Sequence, residues 1–110
     1  MTRFGPPIAA LSLAIGVALA ATNVYADAAQ TIVDQCNTQS LLDMPEKCEC
    51  MGNKARMDLS EQQQELAAAR LTDDAAAAGS LEASMSSEDA AAVDPWLVDV
   101  QATCEQGEQP

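Results

Sequence analysis

Four cysteines constrain this chain more than any other feature, and two of them stand one residue apart. They are Cys36, Cys48, Cys50 and Cys104 in a sequence of 110 residues. The central pair lies in the stretch KCECM, beside the thioether of Met51. A C-x-C motif of this kind can bind a soft metal, exchange disulfides with other proteins, or anchor two structural disulfides. The compartment in which the chain folds decides among these chemistries.

The first 26 residues have the features of a cleaved secretion signal. A short segment with one basic residue, Arg3, precedes the apolar run IAALSLAIGVALAA, and Val24 and Ala26 then supply the small side chains expected before a cleavage site. The apolar run is shorter than the roughly 20 residues that a membrane-spanning helix requires, so an uncleaved anchor is the weaker alternative. We therefore expect cleavage before Asp27 and an exported protein, periplasmic or extracellular, that is not inserted in a membrane.

The chain that remains after cleavage is strongly acidic. All 17 Asp and Glu and four of the five Lys and Arg lie in residues 27–110, which gives this segment a formal net charge of -13. Such a surface repels nucleic acid and anionic lipid, keeps the protein soluble, and can attract a basic protein partner. Trp96 is the only aromatic residue left, so stacking on bases has almost no support. We expect no nucleic-acid binding.

Large apolar side chains are sparse in residues 27–110, where alanine supplies much of the apolar fraction. A domain of this size must bury enough surface to offset an ordering entropy of roughly 1–2 kcal/mol per residue. Disulfides typically add about 2–4 kcal/mol each in short secreted domains. An even number of cysteines in an oxidising compartment therefore favours two structural disulfides.

The apolar pattern is helical throughout, with no alternating strand run. The stretch DAAQTIVDQCN predicts a first helix, and a second helix with the C-x-C motif is expected to begin at Pro45. Ser60 and Gln63 form a capping box for a third, and Asp94 is the expected N-cap of a last helix with Pro95 in its first position. The prediction is an all-α single domain over residues 27–110, a small bundle of four to five short helices stapled by two disulfides.

Residues 72–94 have a weaker pattern, because the segment is alanine-rich and low in complexity. We predict two short helices here, one from Asp73 and one capped by Ser86 or Ser87, with a flexible joint around Gly79 and Ser80. This segment is expected to be the mobile part of the domain, and the last residues, GEQP, are expected to form a frayed tail.

The geometry of a helix explains how neighbouring cysteines can serve different partners. Positions 48 and 50 lie about 200° apart around the helix axis, so their sulfur atoms face nearly opposite sides. Four cysteines allow three pairings, and a direct Cys48–Cys50 bridge is the least compatible with helical backbone. Between the other two pairings, Cys36–Cys50 with Cys48–Cys104 is weakly preferred, because Cys48 and Cys104 both lie on the more apolar stripes.

A Cu(I) site is the first alternative to structural disulfides. The C-x-C motif brings soft sulfur donors close to one another, and Cu(I) prefers thiolate and thioether ligands. The site would require reduced thiols in a compartment that oxidises them, and methionines at helical spacing more often fill gaps in a core. The candidate ligands are Met44, Cys48, Cys50, Met51 and Met57.

Thiol–disulfide exchange by the C-x-C motif is the second alternative. A disulfide between near neighbours tends to be strained and therefore oxidising. The surroundings give the thiols little activation, since Lys47 would lower a thiol pKa whereas Glu46 and Glu49 would raise it.

Several classes of enzyme are excluded by composition. The chain has no histidine, so it lacks Ser-His-Asp triads, Cys-His dyads and histidine zinc sites. Only Gly52, Gly79 and Gly107 follow the signal, so there is no glycine-rich loop that could bind phosphates or a dinucleotide. We therefore predict a non-catalytic protein without a cofactor, acting as a binding or assembly factor through its acidic surface.

The stretch CNTQSLLDMPEKCEC, with a glutamine-rich helix start downstream and a last cysteine in the final helix, carries one resemblance. The chain resembles short exported bacterial proteins of unassigned function that share a C…C-x-C…C layout. The resemblance covers most of residues 27–110 and implies a small disulfide-bonded helical domain in a Gram-negative periplasm. It supplies no catalytic residue.

Overall fold

The computed structural model describes residues 27–107, and this part of the chain is all-α. It contains five helices of 10 to 14 residues and one of 5 residues. They are α1 (Ala28–Gln39), α2 (Pro45–Asp58), α3 (Glu61–Leu71), α4 (Ala75–Ser84), α5 (Ser87–Ala91) and α6 (Val93–Glu105). The all-α prediction with two disulfides is confirmed. The predicted signal peptide and the last three residues of the predicted tail lie outside the described residues.

Local sequence signals, two side-chain caps and one proline, explain where the first three helices begin. The Asp27 side chain accepts a hydrogen bond from the Gln30 backbone N–H at 3.2 Å and so starts α1. Helix α2 begins at Pro45, where a missing N–H is tolerated. The predicted capping box starts α3, because Ser60 Oγ accepts from the Gln63 N–H at 3.1 Å while Gln63 Oε1 accepts from the Ser60 N–H at 2.9 Å.

Two predicted details of the second half are wrong. Helix α4 continues through Gly79, so the joint lies instead at Met85, between α4 and α5. Helix α6 begins at Val93, one residue after α5, rather than after an Asp94 cap. Val93 is fully buried, so its packing in the core favours a helix that already includes this residue. The mobility expected for residues 72–94 stays a prediction.

Helix α3 is the centre of the bundle, since it packs against each of the other five helices. Leu66, Ala67, Ala68 and Ala69 are all fully buried. Four consecutive positions point in directions about 100° apart around the axis, so this stretch of the helix is enclosed on all sides rather than along one stripe. Alanine makes this possible, because its small side chain lets several helices approach the same axis.

Helices α1 and α2 pack antiparallel and unusually close at Gly52. A Cβ atom at Gly52 would lie 2.4 Å from Val33 Cγ2 and 3.3 Å from the Ala29 carbonyl oxygen. The absence of a side chain therefore lets the backbone of α2 approach α1. This contact fixes which side of α2 faces α1, and with it the position of the two cysteines.

Candidate functional site

Two disulfides tie α2 to its neighbours on opposite sides. Cys36 of α1 is bonded to Cys48, and Cys50 is bonded to Cys104 of α6, with Cα–Cα distances of 5.6 and 5.8 Å. No cysteine in residues 27–107 is free. The expectation that the two sulfur atoms of the C-x-C motif reach different helices is confirmed.

The preferred pairing, Cys36–Cys50 with Cys48–Cys104, is wrong. Cys48 lies one turn before Gly52 on the side of α2 that packs against α1, so it meets Cys36. Cys50 lies on the side that faces α6, although this side carries charged residues. The close approach at Gly52 sets the pairing, and the apolar character of the stripes was the wrong criterion.

Burial of the sulfur atoms makes a role in disulfide exchange difficult. Cys36, Cys50 and Cys104 are fully buried and Cys48 is 1% exposed. Exchange requires an external thiolate to reach a sulfur atom, and a buried disulfide gives it no path. The arrangement is that of structural disulfides.

The sulfur donors proposed for copper are not brought together. Met44 and Met57 lie 13 residues apart, which corresponds to roughly 20 Å along a helix. Both are exposed, whereas Met51 is fully buried and Cys48 and Cys50 are bonded to other sulfur atoms. Within residues 27–107 no group of three or more His, Cys, Asp or Glu side chains is placed to hold a metal ion.

The four basic residues of the described chain are all held in ion pairs. Three of them are Lys54, Arg56 and Arg70, whose partners include Asp58 at 4.0 Å and Asp27 at 3.6 Å. The Arg70 guanidinium bonds Glu82 of α4 and lies 3.2 Å from a carboxylate oxygen of Asp94, and it thereby links α3, α4 and α6. These pairs leave a large excess of carboxylates. Exposed examples with no basic partner in residues 27–107 are Glu46, Glu49, Glu61 and Asp99.

Lys47 is the fourth basic residue, and it links the α1–α2 connection to the end of α6. Its ammonium lies 2.9 Å from Asp43, in the α1–α2 connection, and 3.2 Å from Glu105 at the end of α6. Hydrogen bonds to Asp43 and then to Glu105 raise the pKa of Lys47 above its ordinary value. The hydrogen bond from Lys47 lowers the pKa of Asp43, although partial desolvation acts in the opposite direction. This charge is therefore used within the fold.

A cleft of about 230 Å³ lies between α2 and α6. The Trp96 indole Nε1–H donates a hydrogen bond to Asp58 Oδ2 at 3.0 Å, and Lys54 Nζ lies 4.0 Å from the same oxygen atom. Trp96 is partly exposed here, although it also packs against the core. The lining residues are Lys54, Asp58, Trp96, Asp99, Val100 and Thr103.

Sequence analysis missed this α2–α6 cleft because it considered Trp96 only as a residue for stacking on bases, without a neighbour on another helix. The available signal was the position of Asp99, three residues after Trp96 and hence on the same helix face. Asp58 was not predictable as a neighbour, since its place beside Trp96 depends on the packing of α2 against α6.

The chain was compared with protein-family models, curated proteins and solved structures, and none of them matches it. The resemblance to short exported bacterial proteins therefore stays a prediction. None of the helices in residues 27–107 has the length and apolar character needed to span a membrane.

Proposed function

We propose that this protein is a non-catalytic, exported helical protein that binds a basic protein partner through its acidic surface. The observation that carries the proposal is the pairing of its basic side chains. Each basic residue of the described chain is paired with a carboxylate of the same fold, whereas many carboxylates face solvent without a basic partner. The negative charge is thus available to a second molecule.

The excess of carboxylates over basic side chains acts on other molecules through long-range electrostatics. A surface of one sign steers an oppositely charged partner and raises the association rate, and it disfavours partners of the same sign. The attraction extends over about 8–10 Å at physiological salt and is screened at higher ionic strength. Salt sensitivity is therefore the signature of this function.

Two buried disulfides support export, since such bonds persist mainly in oxidising compartments. They also weigh against the Cu(I) and exchange alternatives, which both require accessible thiols on Cys48 and Cys50. Binding to another protein is therefore the best supported function.

The test is affinity capture with the purified, oxidised protein from an extract of the exported fraction of its host. We expect basic proteins to be retained at low salt and released at ~0.5 M salt. A charge-reduced variant should lose this retention while it keeps its disulfides and helical circular dichroism. Its substitutions are Glu46→Gln, Glu49→Gln, Glu61→Gln and Asp99→Asn.

A second variant controls for changes of the surface that do not alter charge. It replaces exposed neutral residues with glutamine, and retention should equal that of the unmodified protein. Capture of no basic protein, or capture that neither salt nor charge reduction changes, would exclude the proposal. The control substitutions are Asn53→Gln, Ala76→Gln, Ala83→Gln and Ala102→Gln.

A further inference from the structure

The α2–α6 cleft differs from the rest of the acidic surface because it joins carboxylates to an aromatic ring. Trp96 is the only tryptophan of the chain, and its indole holds the Asp58 carboxylate through the 3.0 Å hydrogen bond. Asp99 lines the same cleft, and its side chain has no hydrogen-bond or ion-pair partner among residues 27–107. The two carboxylates and the ring therefore border one small space.

The contents of the cleft define the chemistry of its ligand. Carboxylate oxygens accept hydrogen bonds from a cation, and the face of a tryptophan ring attracts a cation within about 6 Å of the ring centre. Thr103 and the small exposed part of Val100 complete the lining, against which the methylene stem of a long side chain can pack. Lys54 Nζ lies 4.0 Å from Asp58 and offsets part of its charge, so Asp99 is the carboxylate of the cleft that an incoming cation would neutralise.

The size of the cleft suits a single side chain better than a whole small molecule. At about 230 Å³ it is smaller than the roughly 300–1,000 Å³ of pockets that bind cofactors and small molecules. Two smaller clefts lie on the described surface, one beside Arg70 and one at the α1–α2 connection, and neither is lined by an aromatic residue. The combination of ring, carboxylates and space occurs at the α2–α6 cleft.

We infer that the α2–α6 cleft receives an arginine side chain of the basic protein partner. The inference rests on the proposed function, and it names the place where that partner is anchored. Arginine fits better than lysine, because its planar guanidinium can stack on the indole and bond a carboxylate with two parallel N–H groups. The rest of the acidic surface steers the partner, and the cleft fixes its position.

Trp96 allows the inference to be tested directly, because its fluorescence reports from the cleft alone. The probe is a six-residue arginine peptide, titrated into the oxidised protein at ~20 mM salt. Tryptophan emission follows the cleft, and calorimetry measures total binding. As the peptide concentration rises, we expect the tryptophan emission to change and then saturate, with the same midpoint concentration as the heat measured by calorimetry.

Two matched variants distinguish peptide binding at the cleft from attraction by the overall negative charge. Asp99→Asn removes one charge at the cleft, and Asp34→Asn removes one charge from the exposed side of α1. We expect Asp99→Asn to raise the Kd of the peptide about fivefold and Asp34→Asn to raise it less than about twofold. Circular dichroism verifies that both variants are folded.

The other outcomes distinguish the two proposals. Salt-sensitive peptide binding with an unchanged Trp96 emission, or with equal effects of Asp99→Asn and Asp34→Asn, would overturn the cleft inference and leave the acidic binding surface intact. Absence of any salt-sensitive peptide binding at ~20 mM salt would overturn both.

Discussion

At the scale of single residues, Gly52 shows how packing overrides local preference. Alanine is favoured over glycine in a helix by up to about 1 kcal/mol, so Gly52→Ala would stabilise an isolated α2. In the fold, the added Cβ would lie 2.4 Å from Val33, which is buried, and 3.3 Å from the backbone oxygen of Ala29. Overpacking of this kind typically costs about 1–3 kcal/mol. We expect a net loss of about 1–2 kcal/mol in the free energy of unfolding, measured with urea.

Gly79 provides the matched control for that substitution. It also lies inside a helix, α4, but a Cβ there would have no atom within 4 Å. Gly79→Ala should therefore raise the free energy of unfolding by about 0.5–1 kcal/mol. If Gly52→Ala stabilised the protein to the same extent, the close approach of α1 and α2 would be refuted.

Lys47 leads to a prediction on pH. Asp43 has a lowered pKa in the fold, so its contribution to stability is present above its ordinary value near 3.8 and is lost as the pH falls through the folded value. Lys47 has a raised pKa, so it stays charged throughout this range. The stability difference between the unmodified protein and Lys47→Met should be constant between about pH 5 and 8 and should shrink towards about pH 2.

Thermal unfolding by circular dichroism measures this difference. Lys54→Met removes the same charge from the same helix, and its contact with Asp58 at 4.0 Å is longer than the 2.9 Å contact of Lys47 with Asp43, so it controls for the general effect of charge on an acidic protein. A difference for Lys47→Met that is as large at about pH 2 as at about pH 7 would contradict the role of the Asp43 ion pair.

At the scale of helices, the two disulfides should contribute unequally. The Cys36–Cys48 bond closes a separation of 12 residues, whereas Cys50–Cys104 closes 54. The chain-entropy relation gives about 3 kcal/mol for the shorter loop and about 4 kcal/mol for the longer one. Replacement of both members of a pair with alanine should therefore lower stability more for Cys50 and Cys104, as urea unfolding would show.

Peptide mapping is the control for this comparison. Glu49 separates the two central cysteines, so a Glu-specific protease used in mild acid divides them without reduction. The peptide with Cys36 should remain linked to that with Cys48, and the peptide with Cys50 to that with Cys104. A larger loss of stability from the 12-residue pair would contradict the entropic account.

The helices also show which parts of this molecule the sequence could predict. The start of α2 at Pro45 and the capping box of α3 depend on a few neighbouring residues, so local rules were sufficient. The disulfide pairing and the α2–α6 cleft depend on contacts between helices distant in the chain. The pairing followed from Gly52, and nothing in the local sequence marks this glycine as a contact surface for another helix. Periodicity describes the faces of one helix and does not specify which neighbour covers each face.

At the scale of the whole molecule, charge and packing act against each other. Residues 27–110 hold 17 carboxylates and 4 basic side chains, and the basic side chains are already paired. Like charges on a compact surface repel one another and favour the unfolded chain. The disulfides limit the expansion of that chain, so they offset part of the repulsion.

The balance between repulsion and ion pairs predicts how salt affects stability. Exposed ion pairs contribute only about 0.2–1 kcal/mol each, and salt weakens them, which alone would lower stability. Salt also screens the repulsion among the more numerous carboxylates, and this effect should be the larger of the two.

We expect the thermal midpoint at pH ~7 to rise as potassium chloride increases from ~0.05 to ~0.5 M. In mild acid, where most carboxylates are protonated, the rise should be smaller. A midpoint that falls with salt at pH ~7 would show that the ion pairs outweigh the repulsion. A basic partner that binds the folded chain more tightly than the unfolded chain would act in the same direction as salt, because it neutralises the same carboxylates. The surface that destabilises the free protein is therefore the surface through which a partner would stabilise it.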